Sequence, residues 1–142
     1  LRGRHNLYAH LEYMIKNAEK NITLMTSSKG LIRKLEALRP ELERLNKKGV
    51  KIRIAAPITK ESVNAVKELS KLAEIKNSNK LNARFCIVDG KDVMFMAMDD
   101  ETVHPSYDVG IWINTPYFAN ALESLFNNSW KDMEDANKVA EK

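Results

Sequence analysis

The sequence has few of the residues that staple, anchor or sharply bend a chain. Of its 142 residues one is cysteine, Cys86, which excludes an internal disulfide and any zinc site built from several cysteines. No apolar run approaches the roughly 20 residues that cross a bilayer, and no apolar leader segment stands near the start. Charge of one sign is scarce as well. The 23 Lys and Arg face 19 Asp and Glu, a net of +4, with both signs interspersed, so no dense basic block argues for nucleic acid. The five glycines are scattered. They form neither a GxxxxGK[ST] phosphate loop nor a GxGxxG turn, and no GxSxG nucleophile elbow is present. His5, His10 and His104 lie at no helical ligand spacing, and each reads as a surface or packing residue.

What the chain does have is periodicity. Leu7, Leu11, Met14, Ile15 and Ala18 fall on one helical face between about Asn6 and Lys20. A buried strand over about 21–26 follows, interrupted by Ser27, Ser28 and Gly30. Leu31, Ile32, Leu35, Leu38, Leu42 and Leu45 predict a second helix, which Pro40 should split or kink while pushing Arg39 toward extended geometry. Gly49 stands where a left-handed helix end belongs. Residues 50–55 alternate as a strand, Thr59 can cap a helix with Val63, Val66, Leu69, Leu72 and Ala73 inside, and 74–76 can form a short strand. Residues 77–80 predict a turn. Strands over about 81–88 and 93–98 should form a hairpin through Asp89-Gly90-Lys91-Asp92. A polar loop over 99–106 leads to a strand over 108–113. Thr115-Pro116 then opens a last helix carrying Phe118, Leu122, Leu125, Phe126, Trp130 and Met133 on one side. Two βα units favour parallel pairing and the hairpin favours antiparallel pairing. The expected fold is therefore α/β, one domain over residues 1–142, a mixed sheet with helices on both faces.

Few residues are placed for chemistry. Asp99-Asp100-Glu101 puts three carboxylates in a row, which a hard cation could use, but such a run is more often a solvated loop. Cys86 lies mid-strand among Phe85, Ile87 and Val88 and reads as an inert buried thiol. Trp112 could stack on a ring, although a tryptophan between Ile111 and Ile113 is more often core. Most informative is Asn82-Ala83-Arg84-Phe85-Cys86-Ile87-Val88-Asp89-Gly90. On a strand, Asn82 and Arg84 share one face and Phe85 and Ile87 the other. An amide and a guanidinium then stand side by side at the strand's start, with a carboxylate at its far end. That is either the polar edge of an ordinary strand or a polar patch converging on a pocket.

This segment resembles a decayed H-x-K-x-x-x-x-D pattern of the phospholipase D superfamily, with Asn82 in the histidine place, Arg84 in the lysine place and Asp89 retained before Gly90. The G-S-x-N element of that family aligns with Met96, Ala97, Met98 and Asp99, which carry none of its hydroxyl or amide functions. The chain is also similar, over nearly its full length, to the phospholipase D-like region of TrmB-like archaeal transcriptional regulators. The resemblance rests on Gly3-Arg4 before a helix, Asn17 to Leu24 entering the first strand, Lys48-Gly49-Val50-Lys51-Ile52-Arg53, Ile87-Val88-Asp89-Gly90 and the closing Phe118 to Trp130 helix. It implies one half of a phospholipase D fold. It also implies that the chain, which starts at Leu1 without an initiator Met, is a piece of a longer protein with a DNA-binding domain ahead of it.

The substitutions separate binding from turnover. In active relatives the histidine is the nucleophile, and an asparagine amide is neither usefully basic nor nucleophilic near neutral pH. Loss of a nucleophile removes a rate factor on the order of a million, whereas Arg84 could still hold an anion. The resemblance therefore implies no enzyme, no cofactor and no metal, but an effector-sensing and dimerising domain in the cytoplasm. Its small-molecule effector would be a sugar or an anionic metabolite, a phosphorylated or carboxylated one suiting Arg84 better. The expected ligand residues are Asn82 and Arg84, with Ser27, Ser28 and Tyr107 beside them, near the ends of the first two strands. A homodimer is expected, with DNA contacted only through the separate domain; Arg2 and Arg4 read as a solvated tether. A purely structural dimerisation module and a residual phosphodiesterase or nuclease are the alternatives.

Overall fold

A computed structural model describes residues 1–78 and 82–141. Its first half runs α1 (Arg4–Lys16), β1 (Asn21–Met25), α2 (Ser28–Lys47), β2 (Lys51–Ala56), a 3-10 turn (Lys60–Ser62), α3 (Val63–Leu69) and β3 (Glu74–Asn77). Its second half runs β4 (Arg84–Val88), β5 (Asp92–Met96), a 3-10 turn (Pro105–Tyr107), β6 (Gly110–Asn114), α4 (Pro116–Trp130), β7 (Glu134–Asp135) and α5 (Ala136–Ala140). Asn79, Lys80 and Leu81, where part of a turn and a strand start were expected, lie outside the described residues. The last two short elements carried too little pattern to be expected.

One seven-stranded sheet has the order β6-β5-β4-β1-β2-β3-β7. The βα units make β1, β2 and β3 parallel neighbours, Ile22 opposite Ile52 and Ile54 opposite Ile75. The hairpin makes β4 and β5 antiparallel, and β4 also pairs antiparallel with β1 at the centre. The hairpin turn has positive φ at both Asp89 and Gly90, the backbone that matches strand twist. Alternation along β4 divides the core. Cys86 and Val88 join Leu7, Leu11, Leu31, Leu38, Leu45 and Ile54 under the helices of one face. Phe85 and Ile87 join Ala119, Phe126 and Trp130 under α4 on the other. Among the described residues, no helix is long and apolar enough to cross a membrane.

Three expectations need correction. Pro40 does not split the second helix, which runs unbroken from Ser28 to Lys47. Leu38 and Leu42 are buried on either side of the proline, and Arg39 stays helical, bonding Glu43 one turn on at 2.8 Å and Glu68 at 2.9 Å. Packing on both sides outweighs the one hydrogen bond the ring removes. Gly49 does end this helix in the left-handed region, at φ 86. The amides of Gly49 and Val50 return to the carbonyls of Asn46 and Leu45, the pairing that closes helix ends. The second correction concerns α4. Its inward residues are Ala119, Phe126 and Trp130, while Phe118 and Leu125 face solvent. The third is Trp112, which is not core. It sits on edge strand β6, half exposed, edge-on to His10, with its indole N–H on Asp92 at 2.7 Å.

Asp89 fastens the sheet to α1. Its carboxylate accepts the backbone N–H groups of Glu19, Lys20 and Asn21 at 2.9, 2.7 and 3.1 Å. Those donors belong to the tight entry from α1 into β1, which has no ladder partner for them, so the side chain supplies one. Asp89→Ala should therefore lower unfolding free energy by about 2 kcal/mol. Part of that loss comes from a left-handed backbone that Asp tolerates better than Ala. A urea midpoint unchanged from the parent would show that water replaces the carboxylate without cost.

A cleft at the strand ends

The carboxyl ends of parallel β1 and β2 and the facing ends of β4 and β5 leave a gap at one edge of the sheet. It is a cleft of about 370 Å³. From β1 and the start of α2 come Thr26, Ser27 and Ser28; the segment after β2 gives Pro57 and Thr59. The approach to β4 gives Asn82, Ala83 and Arg84, and β5 with its following loop gives Phe95 through Glu101. The hydroxyls of Ser28 and Thr59 meet at 2.7 Å. Ser27 caps α2, accepting the Gly30 amide at 2.9 Å. Gly30 is required there, because a Cβ would stand 2.1 Å from the Thr26 hydroxyl oxygen.

Four of the five residues expected at a ligand site, Asn82, Arg84, Ser27 and Ser28, border this cleft. Tyr107 does not. It lies in the second 3-10 turn, 60% exposed, with the Arg2 guanidinium 5.8 Å from its ring centre. Asn82 is exposed at the mouth. Arg84 is only 5% exposed and is already occupied. Its two terminal nitrogens donate to both carboxylate oxygens of Asp108 at 3.1 and 3.0 Å, and one also donates to the Met98 carbonyl at 2.8 Å. A guanidinium clasped by a carboxylate in fork geometry has little positive charge left for an anion. Only its Nε, 3.9 Å from Asp100, lacks a hydrogen-bond partner.

Asp108 is a residue that sequence reasoning missed, and Asp100 one that it read as part of a solvated loop or a cation site. Asp108 is fully buried and also accepts from Arg4 at 3.2 Å, so Arg4 is a structural contact and not a solvated tether. Asp100 is not part of a solvated acidic loop. Its buried carboxylate takes the Ser27 hydroxyl and an Arg33 guanidinium nitrogen. Beside them Lys34 is 1% exposed, its ammonium donating to Thr26 at 3.0 Å and to the Tyr8 hydroxyl at 3.5 Å. Burial pushes Lys34 below its ordinary value, an effect that the neighbouring Tyr8 opposes and Arg84 reinforces. Among the described residues, no three His, Cys, Asp or Glu side chains are grouped to hold a metal. Cys86 lies fully buried, and burial pushes its thiol up to about 12, which keeps it protonated and unreactive.

Burial alone would raise both carboxyls, but donors reverse it. Arg84 and then Arg4 hold Asp108 below its ordinary 3.8, and Ser27, Arg33 and Arg84 do the same for Asp100. The folded state therefore binds fewer protons than the unfolded chain in acid. The stabilisation is complete above the unfolded value of about 3.9 and is lost as pH falls through the lower folded values. Asp108→Asn should cost about 3 kcal/mol at neutral pH, because it leaves Arg84 buried without its counter-charge. It should also flatten the acid limb of stability against pH. An acid limb as steep as the parent's in urea titrations from pH 6 to 2 would show that Asp108 is not its source.

Comparison with known proteins places this geometry. Residues 1–136 match the family described as transcriptional regulator TrmB, EBD N-terminal subdomain, and no curated protein matches the chain. Among solved structures the chain is similar to TrmBL2, an archaeal chromatin protein, with a TM-score of 0.72 at 18% identity, covering 95% of this chain and 52% of that one. The chain thus spans about half the length of TrmBL2. It is similar also to Nuc, a phospholipase D family member from Salmonella typhimurium, with a TM-score of 0.69 at 16% identity over 89% of this chain and 88% of that one. NucT from Helicobacter pylori gives 0.70 at 14% identity over 93% and 92%. At such identities the structures show the phospholipase D-like fold alone, and the match over residues 1–136 shows the family: this chain belongs to the TrmB EBD N-terminal subdomain family.

Proposed function

We propose that this domain senses a small-molecule effector in the cleft at the ends of β1, β2 and β4, and that it holds its ligand without cleaving it. The observation that carries the reading is the state of the two motif positions. Asn82 offers an amide at the cleft mouth where a nucleophilic imidazole would be needed, and Arg84 is clasped by Asp108. Neither group can attack a phosphodiester. Met96, Ala97 and Met98 line the same cleft, so the wall that would need hydroxyl and amide donors for a phosphoryl oxygen is mostly apolar. What survives is a concave surface with a few convergent polar groups, the usual make-up of a binding site.

The ligand class follows from charge. Asp99 and Glu101 add exposed carboxylates to the rim, while Arg84, the one guanidinium lining it among the described residues, is neutralised by Asp108. An anion would meet like charge at the entrance. The cleft suits instead a neutral ligand rich in hydroxyls, which can donate to Asp99 and Glu101 and exchange hydrogen bonds with Ser28, Thr59 and Asn82. This reverses the preference for a phosphorylated or carboxylated effector that Arg84 suggested in isolation. Association of two copies and DNA contact through a separate domain remain part of the proposal. Leu125 on α4 and Ile111 on β6, both exposed apolar residues, favour pairing. A reduced, cytoplasmic setting accords with the lone buried thiol.

A thermal-shift series with neutral sugars, the corresponding sugar phosphates and nucleotides tests this. A neutral sugar should raise Tm by several degrees near 100 times its Kd, as expected for about 2.7 kcal/mol of linkage. Asn82→Ala together with Ser28→Ala should erase the shift. Stabilisation by the phosphates alone, or by no compound in the series, would refute the proposal. So would hydrolysis of a model phosphodiester that Asn82→Ala abolishes.

A further inference from the structure

The cleft and the amino-terminal helix share their counter-ions. Asp108, which clasps Arg84 at the cleft floor, accepts Arg4 of α1 through the same Oδ2, at 3.0 Å from Arg84 and 3.2 Å from Arg4. Its carbonyl also takes the Gly3 amide at 2.7 Å. Asp100 repeats the arrangement. Its carboxylate bonds cleft-lining Ser27, and its carbonyl receives Arg4 at 3.4 Å. The Arg33 guanidinium that meets this carboxylate also donates to Tyr8 of α1 at 3.3 Å. Each of the two aspartates thus joins a cleft-lining group to a group that pins the start of α1.

We infer that the state of the cleft is read out by the first turns of α1: a ligand that competes for the Ser27 hydroxyl redistributes the bonds of Asp100 and, through Arg4, those of Asp108, and so changes how tightly residues 1–8 are held. The physical warrant is the low polarity of the cluster. Buried hydrogen-bonded ions cannot shift one partner without altering the other bonds on the same carboxylate. A ligand that competes for those bonds differs in affinity between the pinned and loosened arrangements, which is what coupling between two sites requires. The inference rests on the effector reading for its biological sense, but the link can be tested with no ligand present.

The test is residue-resolved amide exchange on two variants of the whole chain. Ser27→Ala removes the cleft-side bond to Asp100, with the Gly30 cap of α2, and removes no bond to α1; Arg4→Gln removes the α1-side bonds to the Asp108 carboxylate and the Asp100 carbonyl and none to Ser27. In Ser27→Ala the amides of Gly3 and Leu7 should exchange faster by about fivefold, the low end of ordinary coupling. By reciprocity, Arg4→Gln should speed the amides of Gly30 and Leu31, which bond Ser27 at the cleft, while those of β3 stay unchanged in both variants. Changes confined to the neighbours of each substitution, or a uniform acceleration across the chain, would overturn the inference. Because sugars enter only the thermal-shift series, a failure here leaves effector binding standing, and a failure there leaves this link standing.

Discussion

The pairing of Arg84 with Asp108 is the constraint on which the site depends. Two charges at 6% and 0% side-chain exposure gain from each other only if fork geometry and further donors complete them. Both conditions are met, by the bidentate contact and by Met98 and Arg4. The pair holds the start of β4 against the segment just before β6, strands separated in the sheet by β5. The chain between them, residues 97–107, must then arch over the sheet end, and that arch is one wall of the cleft. Arg84 thus acts as a tie rod between the two segments.

Around that pair the buried and half-buried groups carry more positive than negative charge. Arg4, Arg33, Lys34 and Arg84 face Asp100 and Asp108, with Tyr8 among them. The Tyr8 hydroxyl accepts from two of them, Arg33 and Lys34. Burial would raise its phenol, yet Lys34 and Arg33 draw it below its ordinary value. Lys34 meets the same problem from the other side, since burial without a carboxylate favours its neutral form. Of these cations Arg84 alone lines the cleft among the described residues, and Lys34 meets the lining through the Thr26 hydroxyl.

Much of the fold was legible because it rests on short-range pattern. Alternation in 51–56, the Asp89-Gly90 turn and the helical stripes of α1 and α2 each record local burial, and together they imply a mixed sheet. Failures occurred where a distant partner decides. Pro40 reads as a breaker until Leu38, Leu42 and Glu68 are seen to hold the helix around it. The outer stripe of α4, Phe118 and Leu125, is as apolar as the inner one, so periodicity could not choose between them. Asp108 follows a tyrosine in a polar loop, and nothing within the segment shows that its partner stands 24 residues earlier. Lys34 did leave a signal. It falls three residues after Leu31 and four before Leu38, on the buried stripe of α2, and a lysine there should have been read as an interior charge in need of partners.

The motif itself divides by physical role. Asp89 sits in the turn at the far end of β4, bonded to three main-chain amides that are present whatever happens at the cleft. Its work is to join α1 to the sheet, and no substrate bears on it. Asn82 stands at the opposite end of the segment, exposed, where no hydrogen bond of the fold would be lost by changing it from imidazole to amide. An amide at this place is therefore compatible with the same fold. The aspartate reports architecture, and any chemistry must be judged at the cleft end of the segment, at residues 82 and 84.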